Sequence, residues 1–121
     1  MWIFSKHGFY SIVECQGLAA DTAEPTYLVR GRVRTDLESL KLVAKLSGKL
    51  VNKAGADYEW RIRIDTPELF RVMHALGESI DYPNFKAKIA TVPSMRLRVS
   101  IYSEVWQVLR DSLNRLGRGR S

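Results

Sequence analysis

The sequence has little of what most metal and cofactor sites require. It contains one cysteine, Cys15, and two histidines, His7 and His74, which lie far apart in the chain. Structural zinc sites use four Cys or His ligands, in pairs at short spacings. The sequence shows no such spacing and no cofactor fingerprint. It therefore predicts no metal site and no cofactor.

The single cysteine and the lack of long apolar runs also indicate the cellular compartment. A lone cysteine cannot form an internal disulfide, which is typical of proteins from reducing compartments. No apolar run approaches the roughly 20 residues that a membrane-spanning helix needs. The first six residues, MWIFSK, do not follow the order of a signal peptide. We therefore expect a cytoplasmic protein with no membrane partner.

The chain is basic. Its 121 residues include 19 Lys and Arg against 13 Asp and Glu, for a net charge of +6. A positive field attracts phosphates and acidic proteins alike, so the predicted partners are nucleic acid or an acidic protein. The length fits a single domain, placed at residues 1–114, followed by a flexible basic tail at 115–121. The tail carries Arg115, Arg118 and Arg120.

Periodicity predicts both strands and helices. Alternation indicates strands near residues 2–4, 9–15, 27–34 and 58–65, with a shorter one at 50–51 as an option. Thr35 and Glu38 have the spacing of a capping box that starts the first helix. Thr66 and Pro67 start the second, and residues 84–92 fit either a strand or a short helix. The order predicts a two-layer α+β sandwich, mainly antiparallel with helices on one face, and ferredoxin-like as the closest named arrangement.

Arginines are the strongest functional pattern. In a strand, every second side chain points to the same face. Two neighbouring strands would therefore present five arginines together: Arg30, Arg32, Arg34, Arg61 and Arg63. Arginine binds phosphate with two parallel hydrogen bonds, so this face, aided by Lys86 and the tail, predicts binding to nucleic-acid phosphates or another polyanion. The alternative is a solvated face on which Glu59 and Asp65 pair with the arginines.

Aromatic residues limit how such a face would read a nucleic acid. Proteins that bind single strands on a sheet usually place aromatic rings on the exposed face for base stacking. Alternation places Tyr27, Tyr58 and Trp60 on the core side. It leaves only Tyr10, Tyr82 and Phe85 as stacking platforms. The pattern therefore favours contact with the phosphate backbone over base reading.

Two residues are candidates for catalysis. His7 lies in the first hairpin turn beside Ser5 and Lys6, and Asp57 precedes an arginine-rich strand. Together with Arg61 they suggest a small nucleotide- or phosphodiester-cleaving enzyme as one alternative. No nucleophile elbow or orienting carboxylate accompanies them, and an aspartate before a strand commonly forms a turn. A non-enzymatic module is the preferred interpretation.

The last helix, near residues 98–113, provides the other alternative. Its apolar stripe consists of Tyr102, Val105, Trp106, Leu109 and Leu113. We expect this stripe to pack on the sheet, or to form a dimer interface if the sheet cannot cover it. In the second case the protein would be an interaction module, either a homodimeric adaptor or an inhibitor of an acidic partner.

Several ordered segments carry a resemblance that spans most of the chain. They are residues 4–9 (FSKHGF), 29–32 (VRGR), 35–37 (TDL), 57–61 (DYEWR), 81–86 (DYPNFK) and 102–106 (YSEVW). Together they resemble a family of small uncharacterised bacterial proteins. The resemblance implies a bacterial or phage-like cytosolic setting, and it brings no activity, cofactor or catalytic residue with it.

Overall fold

A computed structural model describes residues 1–15 and 24–119. They fall into two compact units, Met1–Asp81 and Tyr82–Ser121. The first unit contains β1 (Trp2–Ser5), β2 (Gly8–Glu14), β3 (Thr26–Gly31), α1 (Arg34–Val43), β4 (Val51–Asn52), β5 (Trp60–Asp65) and α2 (Thr66–Glu78). The second contains α3 (Phe85–Thr91), a 3₁₀ turn (Arg96–Arg98) and α4 (Val99–Arg118). The prediction of one domain over residues 1–114 stays a prediction.

The first unit is built on a five-stranded antiparallel sheet in the order β1-β2-β3-β5-β4. The α+β class and the antiparallel sheet are therefore confirmed, and the optional short strand forms as β4. Strands β1, β2 and β3 follow one another before the first helix. A ferredoxin-like fold instead begins β-α-β, so that closer comparison does not apply to this order of elements.

Alternation sorts the side chains of the sheet onto two faces. Tyr10, Ile12, Val29, Ile62 and Ile64 are buried on one face, where α1 and α2 pack. Leu37 and Leu40 of α1 join them in a single core, as do Val72 and Leu76 of α2. Both helices of this unit thus cover the same side of the sheet, as predicted.

The starts of the helices differ from the prediction. Helix α1 begins at Arg34, and its N-cap residue Val33 makes no side-chain capping bond. The predicted capping box of Thr35 and Glu38 is wrong, because strand β3 ends at Gly31 and the chain turns into the helix earlier than expected. A capping box forms instead at α2, between Asp65 and Glu68.

The second unit is helical. Asn84 accepts a hydrogen bond from the backbone N–H of Ala87 and starts α3, which settles residues 84–92 as mainly helix. Helix α4 continues through Arg118, so residues 115–118 of the predicted tail are helical. Arg120 lies outside the described residues. Across the ranges given above, no helix combines the length and apolarity needed to cross a membrane.

Candidate functional site

The sheet face directed away from α1 and α2 carries most of the predicted arginines. We call it the arginine face, and it consists of Trp2, Phe4, Phe9, Ser11, Val13, Leu28, Arg30, Val51, Arg61 and Arg63, assigned from strand register and alternation. Trp2, Val51 and Arg63 are exposed. The prediction that Arg30, Arg61 and Arg63 share one side is confirmed by the register, because β3 and β5 are neighbours.

Arg30 and Arg61 form a pair at the centre of this face. They lie directly opposite each other on β3 and β5. One Nη of Arg30 donates to Oγ of buried Ser11 at 2.7 Å, and one Nη of Arg61 donates to the carbonyl oxygen of Tyr58 at 3.0 Å. These neutral acceptors fix both guanidinium groups in place without cancelling their charges.

Tyr58 packs beneath two of the arginines. The guanidinium carbons of Arg30 and Arg32 lie 4.6 and 4.3 Å from the centre of its ring. Strand β5 begins only at Trp60, so the alternation that predicted Tyr58 on the core side does not reach it. Tyr58 is buried but does not belong to the core cluster beneath α1 and α2, and each cation–π contact of this kind contributes roughly 0.5–2 kcal/mol.

Arg32 is neutralised by Asp57. Its Nη1 donates to Oδ1 of Asp57 at 2.7 Å and to the Asp57 carbonyl oxygen at 2.9 Å. The hydrogen bond to the Asp57 carboxylate raises the pKa of Arg32. Asp57 thus acts as the partner of an arginine, and Arg32 is less available to an external anion than Arg30 or Arg61.

The central arginines lack such partners. Within residues 1–15 and 24–119, no carboxylate forms an ion pair with Arg30, Arg61 or Arg63. The Nε atoms of Arg30 and Arg61 are buried and have no hydrogen-bond partner among those residues. Like charges directly opposite each other in a sheet are destabilising. The pair is therefore a concentrated positive site that an anion would stabilise.

The acidic residues expected to neutralise this face are engaged elsewhere. Glu59 accepts a hydrogen bond from Asn52 at 3.5 Å, and Asp65 caps helix α2. The alternative of cross-strand Glu–Arg pairs on the sheet is therefore wrong for these two residues. Glu59 immediately precedes β5 and accepts from a residue of the neighbouring strand β4, whereas Asp65 ends β5 and uses its carboxylate to cap α2.

A depression of about 400 Å³ continues the arginine face. It is lined by Val13, Glu14, Cys15, Leu28, Val51, Arg61 and Arg63. Arg63 is opposite Leu28 in the register, and its charge therefore lies beside an apolar surface. Glu14 lines the same depression without forming an ion pair with either arginine.

Three of the predicted binding residues lie outside the arginine face, and Arg32, which follows the end of β3 at Gly31, is the first of them. Arg34 is the first residue of α1, where it pairs with Glu38 at 2.6 Å and lies 5.2 Å from the ring centre of Trp60. Its predicted place on the strand face is wrong, because β3 ends at Gly31. Lys86 belongs to the second unit, and its Nζ lies 4.6 Å from the ring centre of Trp106.

Aromatic residues occupy one end of the arginine face, contrary to the prediction from alternation. Phe4 stacks on Phe9 with ring centres 4.5 Å apart, and Trp2 meets Phe9 edge-on at 6.3 Å. Tyr10, the predicted platform, is fully buried in the core. The alternation of β2 could have predicted this arrangement. If Tyr10 is buried in the core, its neighbour Phe9 must point to the opposite face.

The remaining predicted platforms lie in the second unit. Tyr82 and Phe85 have ring centres 5.8 Å apart, and Phe85 stacks on Tyr102 at 5.9 Å. Phe85 therefore contributes to the packing of α3 on α4 within that unit.

The catalytic candidates are not brought together. His7 lines a groove of about 720 Å³ formed with residues of α1 and α2, and Asp57 is not among its lining residues. Burial lowers the pKa of His7, the nearby Lys6 ammonium lowers it further, and Asp81 opposes both effects. No group of three or more metal-ligating side chains forms among the residues that the structure covers. Among the residues that the structure covers, the geometry thus gathers positive charge on the arginine face and leaves His7 and Asp57 in separate surroundings.

Comparison with known proteins adds no relative, because no family model, curated protein or solved structure matches the chain.

Proposed function

We propose that the protein is a non-enzymatic cytoplasmic module that binds nucleic-acid phosphates through the arginine face. The observation that carries the proposal is the central pair, Arg30 and Arg61. The two residues lie opposite each other, each guanidinium group donates to a neutral acceptor, and neither forms an ion pair with a carboxylate within the described chain. Arg63 extends the positive charge along the same strand.

The chemistry of the pair favours phosphate. Each guanidinium group has five N–H donors in a rigid fork, and hydrogen bonds within the described chain account for one donor each in Arg30 and Arg61. Phosphate presents several strong acceptor oxygens and binds this fork with two parallel bonds. The net charge of +6 adds long-range attraction to a polyanion.

The test is a titration of the protein with a fluorescently labelled oligothymidine, followed by anisotropy. We expect binding at low salt that weakens steeply as salt increases, because bound counterions are released from the phosphates. The slope of log Kd against log salt counts the neutralised phosphates at about 0.7 each for a single strand. Absence of binding to oligothymidine and to duplex DNA at low salt would contradict the proposal.

A second candidate function, homodimerisation, is favoured by helix α4. Trp106, Leu109, Leu113 and Leu116 are 48% to 62% exposed. With Tyr102 they repeat at intervals of four and three residues, the spacing of a helix that packs along another helix. From Trp106 onward the side chains of the stripe are exposed, and they are therefore available to a second copy.

Charges in α4 agree with an antiparallel pairing of two copies. The helix carries Glu104 in its first half, whereas Arg115 and Arg118 lie near its end. In a parallel pair the arginine-bearing ends would lie together and the helix macrodipoles would point the same way, so both would repel. An antiparallel pair avoids both repulsions. A two-fold axis also lets the same apolar stripe serve both copies.

Disrupting the stripe should separate the copies. We expect light scattering to give twice the chain mass of 13.8 kDa for the unmodified protein and 13.8 kDa for Leu109→Glu/Leu113→Glu. The reason is that two buried carboxylates in an apolar seam are strongly unfavourable. Asn114→Glu, on the polar side of the same helix, is the matched control and should remain a dimer. A monomeric unmodified protein at high concentration would refute dimerisation.

A further inference from the structure

We infer that the arginine face binds single-stranded nucleic acid in preference to duplex, with an unpaired base stacked on Trp2. This inference rests on the proposed function and names its substrate class. It starts from the exposure of Trp2, which is 71% on a residue type that is usually largely buried. Covering the exposed indole ring with another flat apolar surface would be favourable, because it removes apolar area from water.

Strand register places Trp2 in line with the arginines. Trp2 is opposite Ser11, Ser11 is opposite Arg30, and Arg30 is opposite Arg61. This row crosses four adjacent strands. Since neighbouring strands are about 4.8 Å apart, Trp2 and Arg30 lie on strands separated by about 10 Å. One oligonucleotide can therefore contact the indole ring and the arginine pair together.

The indole ring is positioned before any ligand binds. The backbone N–H of Ile12 donates to the carbonyl oxygen of Met1 at 2.9 Å, which fixes the start of β1 against β2. Phe9 supports the indole edge-on at an angle of 78°, and Phe4 stacks behind Phe9. Ordering Trp2 thus costs little on binding, and such preorganisation strengthens stacking.

The dimensions of the face exclude insertion into a duplex. Five strands span about 19 Å, whereas the major groove of B-DNA is about 12 Å wide and admits a helix or a two-stranded ribbon. A paired base also has no free ring face to offer Trp2. Single strands provide both exposed phosphates and unstacked bases, which is the combination that aromatic and arginine surfaces recognise.

The test compares Trp2→Ala, Trp2→Phe and the unmodified protein against labelled oligothymidine and a duplex of equal length at low salt. We expect the unmodified protein to prefer the single strand, and Trp2→Ala to weaken oligothymidine binding about tenfold, because each stacked base contributes roughly 1–3 kcal/mol. Duplex binding should be unchanged, and Trp2→Phe should restore most of the loss. Phe70→Ala, which removes an exposed aromatic ring from α2, is the matched control and should have no effect.

Intrinsic fluorescence provides an independent readout. Oligothymidine should quench the unmodified protein, and Trp2→Phe should lose most of this quenching although it still binds. If Trp2→Ala binds oligothymidine as tightly as the unmodified protein, or if duplex is preferred, the stacking inference is wrong while the proposed function stands. Failure to bind either polymer would overturn both.

Discussion

Replacing Arg61 and Arg63 together with glutamine should weaken oligothymidine binding about 10- to 100-fold. Hydrogen bonds to charged groups contribute roughly 1.5–3 kcal/mol each when their partner is desolvated, and less at an exposed position. Arg61 is partly buried and Arg63 is exposed, so Arg61 should account for most of the loss. Glutamine keeps a donor for the carbonyl oxygen of Tyr58, which limits structural damage.

The matched control removes the same charge from other surfaces. Arg34→Gln/Arg110→Gln deletes two exposed arginines, one on α1 and one on α4. It should weaken binding by less than about threefold, because only the long-range attraction falls. The salt slope of the face variant should also decrease by about 1.4, which corresponds to two lost phosphate contacts. Equal losses in the two double variants would mean that net charge, and not the arginine face, drives binding.

Gly8→Ala should destabilise the protein by about 3 kcal/mol or more. Gly8 has a φ of +152°, and an added Cβ would lie 2.4 Å from Cγ of Asp36. Moving Asp36 aside would be energetically costly, because it is buried and its carboxylate accepts a hydrogen bond from the backbone N–H of Phe9 at 3.1 Å. The added methyl group would therefore force apart the β1–β2 hairpin and α1.

Gly55→Ala separates the steric effect from the backbone effect. Gly55 also has a positive φ, +84°, but a Cβ added there would meet no atom of the described chain within 4 Å. The substitution should cost only about 1 kcal/mol, the penalty of the backbone conformation. Urea unfolding of both variants measures the difference. Similar losses for the two glycines would show that the space between Gly8 and Asp36 can accommodate a methyl group, contrary to this account.

Local patterns in the sequence were sufficient to predict most of the first unit. Alternation fixes which side of β3 and β5 is apolar, and it therefore placed Arg30, Arg61 and Arg63 on one face. The same rule failed at Arg34 and Tyr58, because alternation holds only while the chain remains extended. Strand ends depend on tertiary contacts, such as the packing of Leu37 against Gly31, where an added Cβ would lie 2.2 Å from a Leu37 methyl carbon.

The partners of individual side chains could not be predicted from the sequence. Alternation places Glu59 and Asp65 on the same side as Arg61 and Arg63, yet their carboxylates bond to Asn52 and to the start of α2. The sequence alone assigns Trp2 and Phe9 no role in ligand binding, since their place on the arginine face follows from the register between β1, β2 and β3. Register depends on the pairing of distant segments. The position of the aromatic residues at one end of the arginine face therefore could not be predicted before the strand pairing was known.

The central claim is that phosphates contact Arg30, Arg61 and Arg63, and arginine side-chain NMR tests it most directly. The Nε–Hε signals of the unmodified protein would be followed while oligothymidine is added at low salt. The account predicts that the signals of these three arginines shift together and saturate, while those of Arg34 and Arg71 stay in place. Shifts confined to Arg34, or to the arginines of α4, would contradict it.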